Sequence, residues 1–375
     1  MLKMEFNIKR NTFLEGIQKT LSIVERKTTI PILNNILIRT VDNKIMIIAT
    51  DREIGLISDY EAEILSEGEI TLSARKIFEM IREIQGEIIN FQKEENNWIN
   101  IMCGKVIYKI PGISTDDFPE VLDDEGVEFF KIKGGIIEEM IDKTFFAMSK
   151  EEMRSNLNGV FFKTEKVDSR CLTRMVSTDG HKLALVNFDT GEKDFLDISE
   201  GIIIPRKGVS EIKKIVEDEK DDIEIGVKKG ICIFRKGNMV LKVSLIDSEY
   251  PDYKRVVPTD KGISVQLDRD QFLHSLRRMS VMSSEGYSGV KIKIVEDRMI
   301  LNSTNPDVGE ANEEIEILYK GEEFEISYNV NYLIDAIQVI NGKEILFEMR
   351  TGLRPGIISE VGEDKYICII MPLKM

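Results

Sequence analysis

Met175–Phe188 reads MVSTDGHKLALVNF: an apolar run, a polar turn at Ser177-Thr178-Asp179-Gly180-His181, then a second apolar run through Leu183, Ala184, Leu185 and Val186. Two other stretches share its form, Met46–Ile57 (MIIATDREIGLI) and Met299–Val308 (MILNSTNPDV). The pairs Thr50-Asp51, Thr178-Asp179 and Thr304-Asn305 recur at steps of 128 and 126 residues, which predicts three copies of one unit. Only the middle copy carries Gly-His in its turn, pointing to a site used once per chain.

A shorter repeat lies inside the long one. From Phe6, Ile70, Phe130, Ile202, Val265 and Ile326, the second residue onward is Ile8, Leu72, Ile132, Ile204, Leu267 or Tyr328, the alternation of a half-buried strand. The seventh residue onward is Phe13, Ile77, Ile137, Val209, Phe272 or Leu333, where the period becomes helical, as in Ile77, Met80, Ile81 and Ile84. Asn11, Ser73, Pro205 and Asp268 fall where caps or helix starts are expected. The starts are 64, 60, 72, 63 and 61 residues apart, so six strand-then-helix units tile the chain. Residues 36–40 and 44–49 around Asp42-Asn43, and 223–227 and 231–235 around Lys228-Lys229-Gly230, read as hairpins. Each third is therefore expected to be an α+β domain with two helices packed on antiparallel sheets. Domains are expected at 1–127, 128–257 and 258–375, with boundaries in the acidic run Asp116–Glu128 and in Pro251–Gly262.

A chain of 375 residues with 42% hydrophobic residues in short runs is long enough for three cores. No apolar run suits a bilayer, and MLKMEFNIKR lacks the apolar centre of a signal peptide, so a cytoplasmic protein without membrane contact is expected. Cys103, Cys171, Cys232 and Cys368 are scattered and form no C-x-x-C, which suggests buried thiols. His181 and His274 are the only histidines, and neither stands at metal-ligand spacing. There is no G-x-S-x-G, P-loop or dinucleotide fingerprint, so no catalytic residue, metal or cofactor is expected. Acidic runs such as Asp123-Asp124-Glu125 suit solvated surface better than magnesium-dependent nuclease chemistry.

The formal charge of -15 argues against ordinary DNA binding, which needs a basic surface. The charge is unevenly placed, however. The helical segments 9–27, 74–85, 131–150, 205–217, 268–278 and 327–343 together carry +8, which leaves -23 for everything else. Five of the six are positive at equivalent places in a repeat, and this favours a shared basic surface over a protein-binding scaffold that never meets DNA.

The six units, the TDGHKLA turn and the ending Ile369-Ile370-Met371-Pro372-Leu373-Lys374-Met375 together resemble the bacterial DNA polymerase III beta subunits, the sliding clamps. Further landmarks follow in order: Ile30-Pro31-Ile32-Leu33, Ala74-Arg75-Lys76, Asp117-Phe118-Pro119, Leu157-Asn158-Gly159, Pro205-Arg206-Lys207-Gly208, Tyr250-Pro251-Asp252-Tyr253 and Asn329-Val330-Asn331-Tyr332. The resemblance implies three similar clamp domains per subunit and a homodimer that closes a ring around double-stranded DNA, with helices lining the hole. It also implies a non-catalytic processivity factor that tethers the DNA polymerase III alpha subunit, the clamp loader and other proteins carrying a clamp-binding motif. A closed ring stays on DNA by topology, which reconciles an acidic chain with a DNA partner.

By the same resemblance, Lys27, Arg75, Arg82, Arg154, Arg206 and Lys207 face phosphates. The partner-peptide groove maps to Leu157, Thr178, Gly180, His181, Lys182, Leu183, Pro251, Arg255, Val256, Ile369, Met371, Pro372 and Leu373. Branched aliphatics and Met suit an adaptable apolar floor, with His181, Lys182 and Arg255 as its polar edge. Val281 and Met282 map to the subunit contact, with Lys76 and Tyr108 on the opposite surface.

Overall fold

The computed structural model describes residues 4–24, 30–121, 124–151, 153–168, 170–191, 195–217, 221–284 and 286–374. Alternating burial, as in Glu5–Lys9 and Trp98–Cys103, marks strands with one face in a core. The first third contains β1 (Glu5–Lys9), α1 (Arg10–Thr20), β2 (Asn35–Val41), β3 (Lys44–Thr50), β4 (Ile54–Glu61), β5 (Glu63–Ser66), β6 (Glu69–Ser73), α2 (Ala74–Glu83), β7 (Ile88–Lys93), β8 (Trp98–Cys103) and β9 (Val106–Pro111). The second contains β10 (Phe129–Lys133), α3 (Gly134–Phe145), β11 (Gly159–Val167), β12 (Arg170–Thr178), β13 (Lys182–Asp189), β14 (Ile202–Pro205), α4 (Arg206–Val216), β15 (Asp222–Lys228), β16 (Ile231–Lys236) and β17 (Met239–Ser244). The third contains β18 (Ile263–Asp268), α5 (Arg269–Ser280), β19 (Gly289–Val295), β20 (Arg298–Asn305), β21 (Gly309–Glu316), β22 (Phe324–Asn329), α6 (Val330–Gln338), β23 (Glu344–Met349), β24 (Gly356–Glu360) and β25 (Tyr366–Ile370).

Among the described residues these are six α-helices, two in each third, each following its strand directly, as the shorter repeat predicts. Both predicted hairpins form. Asp42, at φ 52°, turns β2 into β3, and Gly230, at φ 76°, turns β15 into β16. Helix starts follow the expectation less closely. Asp268 caps α5 by accepting from Gln271 N at 2.8 Å, but Ser73 makes no side-chain cap and Asn11 lies inside α1. Arg10 opens that helix instead, its N–H held by the Glu87 carbonyl at 2.8 Å.

Every described strand pairing is antiparallel, and the sheets show how the thirds join. One eight-stranded sheet runs β6-β2-β3-β4 and continues through β17-β16-β15-β10. A second runs β14-β11-β12-β13 and continues through β25-β24-β23-β18. A five-stranded sheet, β5-β1-β7-β8-β9, and a four-stranded one, β21-β20-β19-β22, remain. The chain divides into two compact units, Met1–Gly134 with Ser210–Leu245, and Gly135–Val209 with Ile246–Met375, and each eight-stranded sheet lies within one of them.

In the first and last thirds the core sits between the helices and the sheets. In the first third, Phe6 stacks on Phe91 at 4.7 Å and Phe13 of α1 meets both rings edge-on. In the last third, Phe272 of α5 and Tyr328 pack on Phe347. Each such buried side chain contributes about 1.5–3 kcal/mol. The boundary stretches are anchored as well. Phe118 and Val121 pack on Leu37, Ile48 and Ile57, and Arg350, almost wholly buried, donates to the Asp260 carbonyl at 2.7 Å.

Candidate functional site

The Thr178–Lys182 turn is built by its own side chains. The Thr178 hydroxyl donates to the Lys182 carbonyl at 2.7 Å and accepts from Gly180 N at 3.1 Å. One Asp179 oxygen accepts from His181 N and Lys182 N, both at 2.9 Å, while Gly180 takes φ 89°, where a Cβ would be strained. The other Asp179 oxygen accepts from the Lys182 ammonium at 2.9 Å, and that ammonium also lies 4.0 Å from the centre of the Tyr332 ring. Lys182, expected on the polar edge of the groove, is tied internally through its ammonium. It is 8% exposed because a carboxylate and an aromatic face inside its own unit hold its charge.

Burial raises the Asp179 pKa, but the Lys182 ammonium and the two N–H groups outweigh it and hold the carboxyl below its ordinary value. A depressed native pKa contributes stability above the unfolded value, about pH 4, and loses it as pH falls through the lower native value. Asp179→Asn should therefore remove part of the acid dependence: urea unfolding of wild type and variant should differ above about pH 4 and converge as the pH falls through the lowered native value.

Behind the turn, Val176, Leu183, Leu185, Tyr253 and Ile369 form one buried cluster edged by Phe161, Tyr250, Val257, Ile357 and Ile367. Leu183 of β13 and Ile369 of β25 pair directly. Tyr250 stacks on Phe161 at 4.9 Å, and Arg174 donates to the Tyr253 hydroxyl at 3.1 Å. The terminal residues are stitched beside the turn, Met371 N to the His181 carbonyl at 2.9 Å and Leu373 N to the Ser327 carbonyl at 2.8 Å. Met371 and Leu373, 37% and 38% exposed, and Val256 present apolar surface to solvent, while Leu183 and Ile369 are buried. His181, Gly180, Pro251 and Arg255 are exposed, and Thr178, Leu157 and Pro372 are half-buried. Arg255 pairs with Asp252 at 3.0 Å, and Arg154 reaches the Asp179 carbonyl at 3.3 Å. Val176, Leu185, Phe161, Tyr250 and Tyr253 escaped the sequence reading, although Tyr250-Pro251-Asp252-Tyr253 was the signal for two of them.

The repeat supplies an internal comparison. Through the strand registers, Leu183 and Ile369 correspond to Gly55 and Lys242, which pair where β4 meets β17. There Val121 fills the space above the strand, so that a Cβ on Gly55 would meet it at 2.2 Å. One junction thus carries a buried apolar pair, and its counterpart a glycine and a lysine with Val121 packed on the glycine.

Three family models tile the chain: the DNA polymerase III beta subunit N-terminal domain over residues 4–123, the central domain over 131–252 and the C-terminal domain over 254–374. The beta sliding clamp of Caulobacter vibrioides is 31% identical over 99% of this chain and 100% of its own, and that of Pseudomonas aeruginosa 29% over the same shares. The chain belongs to the DNA polymerase III beta subunit family. Crystal structures agree: the Caulobacter crescentus sliding clamp superposes with TM-score 0.93 at 30% identity, covering 99% of this chain and 100% of the other. A Pseudomonas aeruginosa sliding clamp bound to griselimycin gives 0.90 at 28%, with the same coverage. The protein is a sliding clamp of three clamp domains, a non-catalytic accessory subunit of DNA polymerase III that serves processivity. Among the described residues no group of three His, Cys, Asp or Glu side chains could hold a metal ion, and no helix is long and apolar enough to cross a membrane.

Of the cations expected to face DNA, Lys27 lies outside the described residues. Arg75, Arg82, Arg154 and Lys207 are exposed, with Arg82 paired to Glu83 and Arg154 to Glu151. Arg206 is half-buried and engaged: its guanidinium lies 4.3 Å from the Phe145 ring centre and donates to the Phe145 and Met148 carbonyls. It braces the loop after α3 as well as carrying charge. On the subunit-contact candidates, Lys76 pairs with Glu79 at 3.0 Å, Tyr108 is half-buried on β9, and Val281 is 68% exposed beside Met282 in the turn after α5.

Proposed function

We propose that the chain acts as a head-to-tail homodimer that closes a ring around double-stranded DNA. In this reading its domains are 1–127, 128–257 and 258–375, and one groove per chain anchors short peptides of the DNA polymerase III alpha subunit, the clamp loader and other clamp-binding-motif proteins. The observation that carries it is the pair of strand edges that the repeat leaves unmatched. Within the chain, β17 pairs with β4 and β25 with β13. Following the ladders from Phe6, Phe130 and Val265 makes Tyr108, Leu241 and Cys368 equivalent, so β9 is the counterpart of β17 and β25. Likewise Gly55, Leu183 and Glu310 lie opposite Thr50, Thr178 and Thr304, which makes β21 the counterpart of β4 and β13. Both β9 and β21 stand at sheet edges.

An open edge is a liability unless something covers it. Joining β9 of one subunit to β21 of another, in the register of the internal junctions, sets Tyr108 opposite Ala311 and Lys109 opposite Glu310. The edges are complementary: β21 bears Glu310, Glu313, Glu314 and Glu316, while Lys105 and Lys109 flank or lie on β9. Two β21 edges would repel each other, which favours the head-to-tail arrangement. At this third junction the pair equivalent to Leu183 and Ile369 is Glu310 and Lys109, so a groove with an apolar floor occurs once per chain. The net basic helical segments of an acidic chain suit weak, sequence-independent phosphate contact.

The test is retention on nicked circular DNA after loading by the cognate loader, in salt that screens phosphate contacts. The protein should stay on the circle and leave within minutes once a single cut makes the DNA linear. Equal retention on both forms would sink the ring.

A further inference from the structure

The same turn occurs three times, and its third copy is used differently. In the first, one Asp51 oxygen accepts from Glu53 N at 2.9 Å and Ile54 N at 2.6 Å, and in the second Asp179 does the same for His181 N and Lys182 N. In the third copy the residue is Asn305, 1% exposed. Its carbonyl oxygen accepts from Asp307 N at 3.0 Å, which keeps the turn. Its amide Nδ2, a donor that no carboxylate supplies, reaches outward to the Met282 carbonyl and the Ser284 hydroxyl, both at 2.8 Å.

Those two bonds hold the segment that follows α5. Val281 and Met282 fold back on the helix through Arg278 and Met279 carbonyls, Ser284 and Tyr287 pair with each other, and Asn305 ties this segment to the end of β20. A second link runs from the helix itself to the edge strand, where Arg278 Nε donates to Glu313 at 2.8 Å. The exposed Val281 and the open edge of β21 are therefore tied to each other by the buried Asn305 amide on one side and, on the other, by the Arg278 and Ser275 bonds from α5 to Glu313, the latter at 2.7 Å.

We propose that Asn305 is a positioning residue for subunit closure: it replaces the turn aspartate of the other two copies so that its amide can hold the Val281–Ser284 segment in register with β21. This rests on the homodimer reading above. Losing the two donated bonds frees a segment that a partner must otherwise find already in place, and preorganisation of that kind governs affinity.

Asn305→Asp keeps the size and the bond from Asp307 N but turns a carboxylate oxygen toward the Met282 carbonyl. Asn305→Ser keeps a short turn-forming side chain that cannot span to Met282. Sedimentation equilibrium of both full-length variants should show the dimer dissociation constant raised about tenfold or more, the range of losing buried hydrogen bonds. Hydrogen exchange should quicken at 281–284, and affinity for a groove peptide should stay at the wild-type value, which general loosening of the domain would not allow. Unchanged dimer affinity in both variants overturns the proposal, as does loss of peptide binding in parallel with dimer loss. A wild-type protein that stays monomeric at micromolar concentration overturns the homodimer reading itself and is recognisable before any variant is made.

Discussion

Replacing Met371 and Leu373 together by aspartate should weaken binding of a polymerase-derived peptide at least about 100-fold, near 3 kcal/mol, because the few anchors that fill apolar pockets carry most of an interface's energy. Both side chains are more than one-third exposed, so the substitution costs the fold little. Their backbone N–H groups, bonded to the His181 and Ser327 carbonyls, survive the change. In the proposed groove, two carboxylates on this exposed apolar surface must either shed water against it or repel an entering apolar side chain. The measurement is a titration of labelled peptide against each protein, with sedimentation as the control for dimer. Peptide affinity within threefold of wild type would place the binding surface elsewhere.

The strand-then-helix units were legible because each is short, local and repeated: period-two burial at Phe6 and Ile8 passes to helical spacing at Phe13 and Ile17, and the remaining units follow. Hairpins at Asp42-Asn43 and Lys229-Gly230 were legible for the same reason, since turn chemistry is local. The buried cluster behind the turn was legible in part. Leu183 and Ile369 came from resemblance, whereas Val176, Phe161 and Tyr253 read as core residues on paper and are recognised only when the cluster is assembled. The direction of Lys182 was hidden because its aromatic partner, Tyr332, lies on a helix far along the chain. Open edges are hidden still more thoroughly. VIYKIP in β9 reads as an ordinary strand, and only the strand order reveals that, among the described residues, one side of it has no neighbour.

The openness of that edge makes the second large effect predictable. Ala311→Arg should raise the dimer dissociation constant at least about 100-fold, about 3 kcal/mol or more, and abolish retention on circular DNA. At the two junctions within the chain, the positions equivalent to Tyr108 and Ala311 are Leu241 with Leu56 and Cys368 with Ala184, and all four are buried. In the proposed pairing a small residue opposite Tyr108 leaves room for its aromatic side chain, and an arginine there would bring a bulky guanidinium into the closed sheet. In the isolated chain Ala311 lies half-buried on an open edge, so the variant's unfolding free energy should stay within about 0.5 kcal/mol of wild type. Peptide affinity should also be unchanged, because no groove residue is touched. A variant that still dimerises would show that β9 and β21 do not pair in this register. A variant that dimerises poorly yet remains on circular DNA would show that the edges close something other than the ring.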